Sequence, residues 1–281
     1  MLPPDGHVHT EWSWDAAAGS MERSCARAVA LGLPSIAFTE HADFTAWVVE
    51  PEVRALMRPE NAARLLPDGR FRPPPLDAEA YLACVQRCRE LFPGLRILSG
   101  TELGEPHWHE GQVKALLTTG TFDRVLGSVH SLELAGPRVV DFLFDRAEPA
   151  GLVRAYLAEA LRMVKSAAPF AVLAHIDYPL RHWPEKAGPF NPALFEDEYR
   201  AVLAALAGSG RVLEANAAVP LPPVIMRWWH QAGGEALVFG SDAHDPSDVA
   251  RRFAGLAAAA EAAGFRPGRH PHDFWRRRPA Q

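Results

Sequence analysis

Asp5-Gly6-His7-Val8-His9-Thr10 sets two imidazoles two residues apart near the start of a 281-residue chain. In an extended strand, residues i and i+2 share a face, so His7 and His9 can reach one point. Neutral imidazole binds zinc, manganese, iron and related ions. The H-x-H pair gains weight from the rest of the chain. Later apolar runs end in Glu40-His41, Gly100-Thr101-Glu102, His130, His175 and Ser241-Asp242-Ala243-His244. With Asp15 from the first loop, the candidate ligand set is His7, His9, Asp15, His41, Glu102, His130, His175, Asp242 and His244. These nitrogen and oxygen donors exceed the roughly four to six that one ion takes. A cluster of two or three divalent ions is therefore expected. The donor types suit zinc, manganese or iron without choosing among them.

Positioning such a set needs strands whose ends converge. The chain reads as seven strand–helix units. A short strand and the first loop after it are expected within 5–10, and further strands at 35–39, 95–99, 124–129, 170–174, 211–215 and 236–240, the sixth ending in Asn216. Helices follow at about 20–31, 77–91, 111–117, 150–167, 193–206, 224–231 and 247–263, with a basic tail at Arg276-Arg277-Arg278. Apolar strands alternating with helices imply a parallel sheet. An open sheet would gather only a few strand ends at its switch point, whereas a barrel gathers all of them on one face. The expected fold is thus α/β, a distorted (β/α)7 TIM-like barrel with the metal site at the C-terminal strand ends. One domain is expected over 1–281, with loop insertions at about 43–76 and 131–148.

Composition narrows the function classes. Hydrophobic residues make up 48% of the chain, as in a globular core. A net charge of −5 argues against nucleic-acid or membrane binding through bulk charge. No apolar run is long enough to span a bilayer, and the short lead into His7 leaves no room for a signal peptide. Three cysteines without framework spacing suit a reducing, cytoplasmic setting. Cys84 and Cys88, four apart on an expected helix, read as packed thiols.

The motifs Asp5-Gly6-His7-Val8-His9-Thr10, Thr39-Glu40-His41, Gly100-Thr101-Glu102, Gly127-Ser128-Val129-His130, Ala174-His175-Ile176-Asp177 and Gly240-Ser241-Asp242-Ala243-His244 resemble, in order, those of the polymerase-and-histidinol-phosphatase (PHP) superfamily. The resemblance covers nearly the whole chain and is greatest to the stand-alone histidinol-phosphatase branch. It implies a trinuclear site. His7, His9, Glu102 and Asp242 would hold one ion. Glu102 would bridge to a second, shared with His130 and His175. Asp15, His41 and His244 would hold the third, with Glu11 as a competitor for the Asp15 role.

The implied activity is metal-dependent phosphomonoester hydrolysis, with L-histidinol phosphate of histidine biosynthesis as substrate. Three divalent ions against three carboxylates leave a positive site for a phosphate dianion, and two close ions activate water for in-line attack. Asp242 and His244 are the candidates for proton handling. Arg54, Arg58, Arg138, Arg181 and Arg251 are loop cations able to clamp a phosphate, Arg181 foremost because it follows His175 by six residues. Trp12, Trp14, Phe44 and Trp47 could wall a pocket for a flat group. Asp177 and Asn216 are expected to orient ligands by hydrogen bonds. The alternatives are a phosphodiesterase or nucleotide phosphatase on the same scaffold, a non-catalytic metal-stabilised partner module, and an amidohydrolase-type C–N hydrolase. The last usually has eight strands and often a carboxylated lysine, and no lysine ends a strand here.

Overall fold

The computed structural model describes residues 2–55, 57, 59–144 and 147–278. Seven parallel strands run in chain order: β1 (Asp5–Val8), β2 (Ser35–Asp43), β3 (Arg96–Gly104), β4 (Arg124–Ser128), β5 (Val172–Leu173), β6 (Val212–Asn216) and β7 (Ala236–Gly240). The sheet curls until its first and last parallel strands meet. His9 N–H donates to Ala243 O and Asp242 N–H to His7 O, both at 2.8 Å. The seam that closes the barrel is therefore made by candidate ligands.

The seven longer helices among the described residues are α1 (Met21–Ala30), α2 (Ala78–Leu91), α3 (Glu110–Leu117), α4 (Pro149–Lys165), α5 (Glu196–Gly208), α6 (Pro223–Gln231) and α7 (Phe253–Ala262). Their boundaries have local causes. Ser20 caps α1 by accepting from Arg23 N–H, and Asp77 caps α2 by accepting from Ala80 N–H. Apolar faces of the helices pack on the strands in one large core that includes Met21, Tyr81, Tyr156, Tyr199, Phe239 and Phe253. Cys25, Cys84 and Cys88 are free and buried in it, and burial pushes the Cys88 thiol up to about 11. A second small cluster, Leu126, Val172, Ala174 and Val238, packs separately.

Several elements differ from expectation. Strands β2 and β3 are longer than the apolar runs, pairing in register from Ser35 with Arg96 to Asp43 with Gly104. Glu40, His41 and Glu102 thus lie inside strands, and His41 is paired directly with Glu102. Polar residues suggest strand ends, but here they are buried and face partners rather than water. Both expected insertions contain a strand pair among the described residues. In the first, Trp47–Val48 pairs with Arg70–Phe71, and Trp47, Val49 and Phe71 form a cluster with Trp14. In the second, Ser131–Glu133 pairs with Pro137–Val139. The basic tail is also a strand: Trp275–Arg277 runs antiparallel to β7 and to Phe265–Arg266. Trp275 anchors it, packing edge-on against Phe239 at 4.9 Å. No helix among the described residues is long and apolar enough to cross a membrane.

Candidate metal centre

The nine candidate ligands converge at the C-terminal end of the barrel. Strand β1 and the residue just past its end bring His7 and His9 together, with their Nε2 atoms 2.9 Å apart. Glu102 Oε2 lies 3.3 Å from each of those nitrogens, and Asp242 Oδ1 lies 3.6 Å from His7 Nε2 and 3.3 Å from His9 Nε2. The other oxygen of Glu102 faces a second group: Oε1 is 2.6 Å from His175 Nε2 and 3.4 Å from His130 Nε2. Asp15 Oδ2 stands 3.4 Å from both His41 Nε2 and His244 Nε2. His41 also reaches inward, its Nδ1 3.1 Å from Glu102 Oε2, so the three groups are continuous. Glu11 is elsewhere; its carboxylate accepts Met21 N–H at 2.6 Å and caps α1.

Hydrogen-bond roles show what these nitrogens can do. His7 Nδ1 faces Glu214 Oε1 at 2.7 Å, and His130 Nδ1 faces Asp43 Oδ1 at 2.9 Å. His244 Nδ1 faces the backbone oxygen of Asp242 at 3.1 Å. Carboxylates and carbonyls accept, so each Nδ1 carries a hydrogen, and in the neutral ring, the form that binds a metal, each Nε2 is left a bare lone pair. Bare nitrogens then point at carboxylate oxygens and at one another in a buried space. Glu102 Oε2, Asp15 Oδ1 and His175 Nδ1 are buried without a hydrogen-bond partner. Such an arrangement is unfavourable unless cations sit among the donors, and imidazole plus carboxylate is the donor set of Zn, Mn and Fe sites. The residues fit a divalent cluster.

Charge leads to the same demand. Burial disfavours a charged His7, yet Glu214, Glu102 and Asp242 together pull its pKa well above the usual value. Burial opposes ionisation of Glu102, but His7, His130 and His175 hold its carboxyl well below the usual range. Asp242 is likewise held low against burial, by Arg181 and His7. His9, by contrast, is pushed down to about 4 by burial and by His41 and His244 beside it. It is neutral at physiological pH, the ligand form of imidazole.

Backbone geometry singles out two of these residues. His175 and Asp242 have φ of 21° and 53°, uncommon for residues with a Cβ. Such backbone typically costs about 1–3 kcal/mol per residue and clusters at functional sites. In Asp242 the turn aims the carboxylate at His7 and His9 while its N–H closes the barrel.

The cavity above these groups has a volume of about 370 Å³, within the range of small-molecule sites. Arg181 borders it, pairs with Asp242, stands 3.4 Å from Asn216 Oδ1 and lies over the Tyr178 ring at 4.7 Å. Trp14 and Trp47 form a wall, with ring centroids 5.7 Å apart, and Trp14 Nε1–H donates to Asp43 at 2.9 Å. Asp141 and His182 border the cavity as a pair at 3.2 Å.

Other expected site residues are placed differently. Arg54 does not border the cavity; it braces its own loop, donating to Val49 O and Gly69 O. Arg138 is also outside, paired with Glu50 and donating to Leu134 O. Arg251 pairs with Asp248 at 3.3 Å. Arg58 lies outside the described residues. Trp12 packs on the main core and Phe44 beside Ala42 and Leu103, so neither borders the cavity. Asn216 does bond its neighbours, donating to Glu214 at 3.1 Å and to Asp242 at 3.4 Å. Asp177 does not: both of its oxygens are buried without a hydrogen-bond partner.

Four residues to which the sequence assigns no role support the ligands. Glu214 holds His7, and Asp43 holds His130. Glu105 Oε1 accepts the N–H groups of His130 and Ser131 at 2.6 and 2.7 Å. Ser13 Oγ lies 2.9 Å from His9 Nδ1. A signal exists for two of them: Asp43 and Glu214 sit two residues from His41 and Asn216, on the same strand faces. With Asp43 and Asp141, the cavity carries more negative charge than the three ligand carboxylates alone supply.

A parallel barrel closed by histidines and carboxylates, with their free atoms turned to one cavity, defines a metal-binding (β/α) barrel. Residues 5–218 match the PHP domain, and the chain belongs to that family. It is similar to a Deinococcus radiodurans protein named "Probable histidinol-phosphatase", 28% identical over 264 residues and covering 89% of each chain. It is also similar to a Lactococcus lactis "Histidinol-phosphatase", 24% identical over 251 residues and covering 85% of this chain and 83% of the other. The crystal structure of histidinol phosphate phosphatase from Lactococcus lactis, complexed with zinc, L-histidinol and phosphate, superposes with a TM-score of 0.76 at 21% identity, covering 94% of this chain and 95% of that one. The shared fold is the PHP-type TIM-like barrel.

Proposed function

We propose that this chain is a metal-dependent phosphomonoesterase that hydrolyses L-histidinol phosphate to L-histidinol and phosphate. One observation carries the reading: Glu102 divides its two oxygens between His7 and His9 on one side and His130 and His175 on the other, at the floor of a small-molecule cavity. A single buried carboxylate so placed suits a bridge between two ions. His7, His9, Glu102 and Asp242 would hold the first, Glu102, His130 and His175 the second, and Asp15, His41 and His244 the third. Divalent ions bound there would supply charge for the phosphoryl oxygens and lower the pKa of water.

The chain's own residues supply orientation. Arg181 presents its guanidinium to the cavity, stacked on Tyr178 and tied to Asp242, which suits bidentate contact with phosphate. Trp14 and Trp47 offer flat faces for an imidazole. The Asp141 carboxylate, 3.2 Å from His182 Nε2, keeps further lone pairs to accept from the substrate ammonium. Its carboxyl is kept below the usual range despite burial, because His182 faces it. Asp242 and His244 border the cavity, Asp242 as a carboxylate held ionised by Arg181 and His7 against burial. The His244 side chain is about one-third exposed, with 34% of its surface accessible, and is open to exchange with solvent. The names of the two relatives support the substrate.

Phosphate release tests the reading, using protein reconstituted with zinc or manganese. L-histidinol phosphate should be hydrolysed far faster than nucleoside monophosphates or a generic aryl phosphate. Equal, slow rates on all three would contradict the substrate assignment.

A further inference from the structure

Ser13 Oγ is a junction. It lies 2.6 Å from Glu40 Oε2, 2.9 Å from His9 Nδ1 and 3.1 Å from the backbone nitrogen of His41. Glu40 is buried on the face of β2 opposite to His41. Its carboxylate also receives Thr10 N–H at Oε2 (3.0 Å) and the Thr10 hydroxyl at Oε1 (2.6 Å).

The proton count fixes every role. A hydroxyl has one hydrogen and two lone pairs; burial raises the Glu40 carboxyl, but Oε2 already takes the Thr10 N–H and so is the accepting oxygen whether or not Oε1 holds a proton. Ser13 therefore gives its hydrogen to Glu40. One lone pair takes the His41 N–H, and the other remains for His9 Nδ1. That nitrogen must carry hydrogen, which leaves His9 Nε2 bare. His9 Nε2 is the atom 3.3 Å from both Glu102 Oε2 and Asp242 Oδ1. If Ser13 instead gave its hydrogen to His9, Nε2 would bear a hydrogen aimed into the cluster and could not bind an ion.

We propose that Ser13, its hydroxyl aimed by Glu40, is a positioning residue that sets the His9 tautomer and so the metal affinity of the cluster. This rests on the proposed ligand assignment. Neither side chain touches the substrate cavity. Their effect passes through the Nδ1 side of His9, whereas His7 relies on Glu214 for the same purpose.

The test pairs chelator competition with imidazole nitrogen NMR of the full chain stripped of metal, at neutral pH. Wild type should show His9 as the Nδ1–H tautomer. Ser13→Ala should lose that preference, and its metal affinity should fall roughly 10- to 100-fold, the usual cost of removing an orienting partner. Ser13→Thr, which keeps the hydroxyl, should restore both. Glu40→Gln should retain both, because Thr10 N–H calls for the amide oxygen at the Oε2 position and that oxygen still accepts from Ser13. A role for Glu40 through charge alone would make Glu40→Gln resemble Ser13→Ala. Nε2–H on His9 in wild type, or unchanged tautomer and affinity in Ser13→Ala, would overturn the proposal. Wild type with Nδ1–H on His9 that took up no metal would overturn the ligand assignment rather than the positioning role.

Discussion

Glu214 Oε1 lies 2.7 Å from His7 Nδ1, at full burial inside the barrel. Its other oxygen accepts the backbone N–H of His175 at 2.7 Å. One carboxylate thus fixes two candidate ligands on different strands. Gly240 makes the arrangement possible, since a Cβ there would stand 1.9 Å from Glu214 Oε1. Glu214→Ala should weaken metal binding by roughly 10- to 100-fold. Gly240→Ala should shift affinity in the same direction by displacing Glu214. Competition with a chelator of known affinity measures both; unchanged affinity in Glu214→Ala would contradict this role.

Arg181 joins the Asp242 carboxylate, Asn216 and the Tyr178 ring. A lysine keeps the charge but loses the planar fork and the stacking. Arg181→Lys should lower kcat/KM for L-histidinol phosphate by about tenfold or more, the scale of one charge-assisted hydrogen bond. Steady-state kinetics on metal-loaded protein reads this. A variant with wild-type kcat/KM would remove Arg181 from phosphate recognition.

Asp141 is expected to choose the substrate rather than drive the chemistry. Asp141→Asn removes the charge facing an ammonium and keeps the shape. KM for L-histidinol phosphate should rise roughly tenfold, the scale of a charged hydrogen bond, while hydrolysis of an aryl phosphate without an amine stays close to wild type. Parallel losses on both substrates would show a general structural effect instead.

Asp177 has a pH signature in metal-stripped protein. Burial raises its carboxyl from 3.8 to about 7, with Arg181 opposing and Glu214 and Asp242 adding to the rise. The folded state therefore prefers the protonated form. Its contribution to stability is fully present below about 4 and is lost as pH rises through about 7. Asp177→Asn abolishes this loss, so the variant should gain on wild type between those pH values. Denaturant melts across pH 4–8 would show it; a constant difference would contradict the raised pKa.

The residues that converge on the cavity are legible in the sequence as candidate ligands because their types are distinctive and they stand at the ends of apolar runs. His7 and His9 need only strand alternation. Glu214 is hidden between Leu213 and Ala215, and its one signal is the strand face it shares with Asn216 two residues on, which is not a ligand spacing. Asp43 falls just past the expected strand end, because Glu40 and His41 have the polarity of a loop yet lie in buried strand. Arg54 and Arg138 resemble phosphate clamps in sequence, but backbone carbonyls and Glu50 engage them, partners that arise only once the insertions fold. The tail strand depends on Trp275 finding Phe239, a contact between residues far apart in the chain.

The most direct measurement is phosphate release from L-histidinol phosphate, with metal content read by elemental analysis on the same protein. It is run before chelation, after chelation and after adding back zinc or manganese. Two to three ions per chain, activity abolished by chelation and activity regained on reconstitution are the predicted results. Protein that binds no metal, or that hydrolyses no L-histidinol phosphate when fully loaded, would contradict the metal-dependent phosphatase.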